Sequence, residues 1–358
     1  MKLRLFLGSA LLLIVSSCNY SANKKITDLF EGKESLIKSE CFLLLEKDSV
    51  RTPYMFTCLK NELLFVDIHQ ESFLSEFDKN TGKWLRYSLL RGNGPNEYIH
   101  LSNMTSINDN LFVWDSGKSF VDILKLEDDT LIVSNHVYIG SDSCLVSAFQ
   151  ICPIDENYFV ASGIIKNNRF VILDSEGRFY SSFGNYPFSK RSDDEEDYIT
   201  QAFAHQGSII CSPDKKRLVA GNMMGDAISF FDISDLKSPK LCKEYDYVTP
   251  KYKILEKNSV AFDKECIIGF INLVASSQYC IGLYNGEKSS SLQYKNSFGG
   301  NKLLFFDWDG TPLSLIKLDM KYSCLAIDNE NERLFLLGVD PESLEYRLDM
   351  IDLNQLSF

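Results

Sequence analysis

Histidine is scarce in this chain. Four residues in 358 (His69, His100, His136 and His205) leave little material for a three-histidine metal centre. Cationic side chains are also outnumbered, with 37 Lys and Arg against 49 Asp and Glu, a formal charge of −12. A nucleic acid is therefore a poor partner, because phosphate neutralisation needs clustered Lys and Arg. The ten cysteines include no C-x-x-C pair, which argues against a zinc ribbon or a thioredoxin-like dithiol. The H-E-x-x-H, G-x-S-x-G, P-loop and dinucleotide fingerprints are missing as well. No catalytic residue, metal-ligand set or cofactor is assigned. Past residue 17 no apolar run approaches the roughly 18 residues of a membrane-spanning helix. Sustained 3.6-residue apolar periodicity is absent, so helices are not the building material.

What is present begins with an address. Lys2 and Arg4 precede the apolar run Leu5–Val15, which ends in Val15-Ser16-Ser17-Cys18. The run is short for a stable membrane span and looks like a bacterial lipobox. It implies cleavage before Cys18 and acylation there, with the protein held to a membrane through lipid on Cys18. Residues 1–17 are then a signal peptide, and 18–38, polar and mixed in charge, a tether. Residues 39–358 form the folded domain. Removing Lys2 and Arg4 takes the charge from −12 to −14. Nine cysteines remain, an odd number for an oxidising compartment. Cys58, Cys152, Cys211, Cys280 and Cys324 lie in apolar strand-like runs and read as core thiols.

The folded part is a repeat. Short apolar strands start at Leu63, Leu111, Tyr158, Arg217, Tyr279 and Arg333, spaced by 48, 47, 59, 62 and 54 residues. Each follows a polar turn, as in Ile107-Asn108-Asp109-Asn110. Further on, an apolar residue and an acid precede another turn: Phe77-Asp78, Leu126-Glu127, Leu173-Asp174, Phe231-Asp232, Phe306-Asp307 and Ile351-Asp352. A further strand then usually follows. Six such units of four antiparallel strands predict an all-β, six-bladed β-propeller. The sixth unit ends at Phe358 after its third strand, while Glu40–Glu46 stands as a spare strand at the other end. That N-terminal strand is expected to close the ring and remove the open edges.

In such a ring the longest connections, 91–102, 140–147, 184–205, 248–270 and 284–301, all fall on one face. Binding residues gather on loops held by a rigid scaffold, so this face is the functional candidate. Arg91, Asn93, Glu97 and Tyr98 form its densest polar cluster and are ligand-binding candidates, with Arg91 and Tyr98 as exposed binding groups and Glu97 either a cap for neighbouring amides or an acceptor for a ligand hydroxyl. Tyr186, Tyr198, Tyr252 and Tyr294, with Tyr98, add stacking surface for a peptide, protein or glycan, and His205, near the acidic run, is a further ligand-binding candidate. The acidic run Ser192–Asp197 reads as a solvated loop. Asp78-Lys79-Asn80-Thr81-Gly82 and Asp307-Trp308-Asp309-Gly310 read as hairpin turns rather than calcium loops.

Three segments carry a resemblance. Arg91-Gly92-Asn93-Gly94-Pro95-Asn96-Glu97-Tyr98 resembles the G-x-G-P-x-E-aromatic loop of bacterial six-bladed propellers of the NHL and TolB-like groups. Tyr279–Gly286 and Leu304–Pro312 are similar to the "Y-I-x-x-L-Y-x-G" and "V-F-D-W-D-G-x-P" strands of TolB-like propeller lipoproteins of Bacteroidota. The resemblance implies architecture and location but no reaction. With it comes the expectation of an outer-membrane lipoprotein of a Gram-negative bacterium. The acidic cluster that sends some lipoproteins of this group to the cell surface is missing after Cys18, which favours a periplasm-facing protein over surface display. The expected function is non-catalytic binding or scaffolding of an envelope protein, peptide or glycan. The alternative is a metal-dependent hydrolase or lactonase acting at the channel mouth.

Overall fold

The computed structural model describes residues 24–46, 48–68, 71–140, 144–187, 198–255, 259–291 and 298–356. Short apolar runs closed by tight turns favour antiparallel hairpins, and the chain folds accordingly. After β1 (Glu34–Ile37) and β2 (Glu40–Leu44), the first blade comprises β3 (Pro53–Leu59), β4 (Glu62–Asp67), β5 (Ser72–Asp78) and β6 (Trp84–Leu90). The second holds β7 (Leu101–Ile107), β8 (Asn110–Asp115), β9 (Phe120–Glu127) and β10 (Thr130–Tyr138). The third holds β11 (Leu145–Pro153), β12 (Tyr158–Ile165), β13 (Phe170–Asp174) and β14 (Phe179–Phe183). Helix α1 (Tyr198–Ala204) leads to the fourth, β15 (Gly207–Cys211), β16 (Arg217–Asn222), β17 (Asp226–Asp232) and β18 (Lys240–Val248).

A hairpin of β19 (Tyr252–Ile254) and β20 (Val260–Phe262) precedes β21 (Phe270–Ala275), β22 (Tyr279–Tyr284) and β23 (Gly300–Asp307) of the fifth blade. Then β24 (Pro312–Asp328) serves two blades. Its first half pairs with β23 as an outer strand, and its second half pairs with β25 (Arg333–Val339) as the inner strand of the sixth. The last strand, β26 (Tyr346–Asp352), pairs antiparallel with β2, Glu40 opposite Met350 and Leu44 opposite Arg347. The expected closure by the N-terminal strand is thus observed.

The packing confirms a ring. Inner strands β3, β7, β11, β15, β21 and the second half of β24 adjoin in turn, and β24 returns to β3. An apolar cluster fills every blade junction. Leu64, Val66 and Leu111 lie between the first and second blades; Phe112 and Phe159 between the second and third. Phe170 and Phe231 join the third to the fourth, and Phe230 and Phe306 the fourth to the fifth. Phe305 and Leu334 join the fifth to the sixth. Phe65, Phe77, Phe335 and Leu337 complete the sixth-to-first seam, the contact an open stack would lack. The phenylalanine-rich strands are therefore inter-blade packing. The five cysteines read as core thiols are all buried, with Cys152 Sγ and Cys211 Sγ 3.6 Å apart on neighbouring inner strands.

The repeated acid is a turn device. Asp78 Oδ1 accepts from the Asn80 and Thr81 amides at 3.0 and 2.7 Å. Asp307 Oδ1 accepts from Asp309 and Thr311 at 3.0 and 2.7 Å. A carboxylate that takes two backbone N–H groups replaces the turn's missing partners, and both segments are hairpin turns as read.

One boundary needs correction. Residues 24–38, expected as tether, are docked on the domain. A 3₁₀ turn at Ile26–Phe30 buries Ile26 and Phe30 completely among Phe230, Phe270 and Phe306. Strand β1 then pairs parallel with the outer half of β24. The Ile26 amide donates to Asp226 Oδ2 at 3.0 Å, and Tyr284 Oη donates to Oδ1 at 2.9 Å. Burial outweighs these bonds and pushes the Asp226 carboxyl up to about 6. The folded state thus holds this proton more tightly than the unfolded chain. The associated stability is full below the ordinary aspartate value and declines as pH rises towards about 6. Asp226→Asn is expected to flatten the fall in melting temperature between about pH 4 and pH 6. A slope identical to that of the parent protein would refute the assignment.

Candidate functional site

The structure divides the expected binding residues. The loop 91–98 turns inward. Tyr98 is 1% exposed, packs with Phe73, Leu74 and Leu101, and donates from Oη to Asp122 Oδ2 at 2.6 Å. Tyr98 is a core residue, contrary to the expectation of an exposed binding group. Burial, then the bond to Asp122, holds its phenol well above the usual range. Arg91 is likewise engaged: its guanidinium stacks 3.5 Å over the Phe73 ring and donates to the Asp67 carbonyl. Glu97 caps the loop, accepting from the Gly94 amide at 2.7 Å. A Cβ on Gly92, at φ +152°, would fall 2.0 Å from Glu97 Oε2, so glycine is required there. Asn93 alone of the four is fully exposed. Tyr98→Phe should cost about 1.5–3 kcal/mol of stability by removing a bond to a charged acceptor, with ligand binding unchanged. Unaltered chemical denaturation would contradict the buried role.

Tyr252 lies in the hairpin after β18, its ring 6.3 Å from that of Phe262, and Tyr198 opens α1. Cys18, Tyr294 and the acidic run 192–197 lie outside the described residues.

Tyr186 and His205 come together. They line a recess between the third and fourth blades, on the face that carries the long connections, with a volume of about 20 Å³. Its walls are Phe149 from β11, Gly163 at the end of β12, Arg169 before β13, and Gln206 after α1. Tyr186 and His205 stack at 5.5 Å between ring centroids. A Cβ on Gly207 would lie 1.9 Å from the Gly221 carbonyl oxygen, so the floor can be nothing larger.

Arg169, which the sequence reading passed over, dominates the chemistry. Its backbone amide is fixed to the Gly184 carbonyl at 2.8 Å, closing the turn before β13. Its side chain is 4% exposed. Nη2 donates to Asn222 Oδ1 at 2.7 Å and Nη1 to Ser229 Oγ at 3.3 Å. Ser229 in turn donates to Glu244 Oε2 at 3.0 Å. Burial lowers the guanidinium to about 10, with Tyr186 and Glu244 opposing. His205 Nδ1 sits 3.0 Å from Asn222 Nδ2 and accepts from it. Burial, aided by the Arg169 charge, pushes His205 down to about 3, so its imidazole is neutral. Burial raises Tyr186 to about 12 despite Arg169.

The ladder position beside Arg169 varies from blade to blade. Asp67 and Asp115 each pair with the first residue of their inner strand, Pro53 and Leu101, and cap the amides before it. At the same ladder position, opposite Gly207, the fourth blade carries Asn222. The third, fifth and sixth blades carry Ile165, Tyr284 and Gly338 there. Among the described residues no three His, Cys, Asp or Glu side chains converge as a metal cluster.

Comparison with known proteins agrees with the architecture. No curated protein matches the chain. Among solved structures, a Bacteroides fragilis protein described as exported has 12% identity and a TM-score of 0.53, over 89% of this chain and 99% of that one. The β-propeller domain of Cps50 (Swd1) from Myceliophteria thermophila has 12% identity and a TM-score of 0.46, over 87% and 99%. The family model described as TolB-like 6-blade propeller-like matches residues 30–330, most of the six closed blades, and the chain belongs to that family.

Proposed function

We propose that this protein is a lipid-anchored propeller of the Gram-negative outer membrane that faces the periplasm and binds a peptide or protein segment on its long-loop face, without turnover. The observation that carries the reading is the recess at Arg169. Its polar groups are fixed by hydrogen bonds, and its titratable groups sit far from neutrality, His205 near 3 and Tyr186 near 12. A general acid or base works best with a pKa near the ambient pH, so these groups are suited to holding a ligand rather than moving protons. The lipobox before Cys18 and the exported relative in Bacteroides fragilis support the envelope location.

Cell fractionation tests the anchor. Cys18→Ala should move the protein from the membrane pellet to the soluble fraction, since no apolar run past residue 17 reaches membrane-spanning length. Continued sedimentation with membranes would refute lipid anchoring. Affinity capture from envelope extracts tests binding: a specific partner should be retained by the parent protein and lost on Tyr186→Ala.

A further inference from the structure

We propose that the recess at Arg169 is a receptor for one carboxylate, that of a glutamate or aspartate side chain in a peptide segment; this rests on the binding reading above. Three observations converge on it. First, Arg169 is a buried cation whose direct partners are neutral. Asn222 and Ser229 take two of its five N–H groups, and among the described residues no carboxylate forms an ion pair with it. A buried charge is costly unless paired, and Glu244 reaches it only through Ser229. The donors that remain form a planar fork that matches a carboxylate in two-point contact.

Second, Arg169 lines the recess, and the recess is small. At about 20 Å³ it exceeds the roughly 10–15 Å³ needed by one water and takes only a few heavy atoms. A carboxylate on a slim methylene stem fits. The carboxylate of a uronic acid is bonded directly to its ring, and the ring would have to follow it inside. Size therefore favours an acidic side chain over an acidic glycan, and the apolar wall of Phe149 and Tyr186 would cover the stem.

Third, the ladder position beside the guanidinium carries an amide and not a carboxylate. The ladder position that holds Asp67 and Asp115 in the first two blades holds Asn222 here, 2.7 Å from the guanidinium. An aspartate in place of Asn222 would satisfy Arg169 internally. The chain leaves that charge for a ligand to neutralise.

The test titrates the full-length protein with N-acetyl-glutamate amide, N-acetyl-glutamine amide and glucuronate, followed by saturation-transfer NMR. The glutamate derivative should bind in the millimolar range and the glutamine derivative about ten-fold more weakly or worse, because a charge-assisted pair becomes a neutral one. Arg169→Met and Asn222→Asp should each abolish the glutamate signal. Asn222→Asp should also raise the melting temperature, which separates loss of binding from loss of fold. Equal affinity for glutamate and glutamine, or binding retained in Asn222→Asp, would overturn the proposal. Glucuronate binding as tightly as the glutamate derivative would overturn the peptide assignment. If an envelope partner is still captured by Asn222→Asp, the carboxylate receptor fails while the binding reading stands.

Discussion

Replacing Asp328 by alanine should lower the unfolding free energy by about 3–5 kcal/mol, the range for a buried ion pair broken from one side. Asp328 ends the inner strand of the sixth blade, and Lys79 follows β5 of the first, so their contact crosses the seam that closes the ring. Lys79 Nζ lies 3.0 Å from Asp328 Oδ1, and both side chains are 2% exposed. Arg333 Nη2 adds a second contact at 2.7 Å. Burial alone would raise the Asp328 carboxyl, but hydrogen bonds from Asn331, Arg333 and Lys79 outweigh it and hold it below the ordinary aspartate value. Its stabilising contribution is therefore complete above that value and lost as acid protonates it. Alanine would leave the Lys79 ammonium buried beside Glu330 alone, whose carboxylate is 3.4 Å away and 71% exposed. Glu330→Ala supplies the contrast. It removes a contact of the same lysine in solvent, for about 0–1 kcal/mol. Denaturant unfolding of both variants decides the matter, and equal costs would show that the seam does not depend on the buried pair.

The second large effect concerns the N-terminus. A chain beginning at residue 39 should be less stable than one beginning at residue 24 by at least the about 3–5 kcal/mol of a deleted core phenylalanine. Phe30 lies edge-on to Phe306 at 5.1 Å between centroids, and Ile26 is fully buried beside it. Losing residues 24–38 also strips β1 from β24 and leaves Asp226 without the Ile26 amide. Against typical domain stabilities of about 5–15 kcal/mol, that is a large share. Phe30→Ala in the full chain isolates the packing part. Were residues 24–38 a tether, both changes would leave the melting temperature where it was.

These two regions differ in how far the residues alone reveal them. The strands are legible because short apolar runs and turn residues act locally; the runs read from Tyr158, Arg217, Tyr279 and Arg333 open β12, β16, β22 and β25. Closure by β2 was legible because an unfinished sixth unit and a spare strand complement each other. The docked turn at Ile26–Phe30 was not, since its apolar residues are surrounded by Lys24, Lys25, Asp28 and Glu31. Burial there depends on a groove contributed by residues some two hundred positions away.

The site shows the same division. Tyr186 and His205 were picked from a long connection and do meet. Tyr98 sits in an equally polar loop, but its hydroxyl finds Asp122 across the blade. Local sequence carries no record of which side of the loop faces the core. Arg169 follows Asn167-Asn168 and reads as an ordinary turn residue. Its significance comes from Asn222 and Ser229 on the next blade, 53 and 60 positions away.

The direct test of the account is site-specific photo-crosslinking in living cells. A photoreactive side chain at Gln206, on the rim of the recess, is compared with one at Lys215, in the turn before β16 on the opposite face. The account predicts an envelope-protein adduct from position 206 that disappears when Asn222→Asp is introduced, and none from position 215. Adducts from position 215 alone, or an adduct at 206 indifferent to Asn222→Asp, would contradict it.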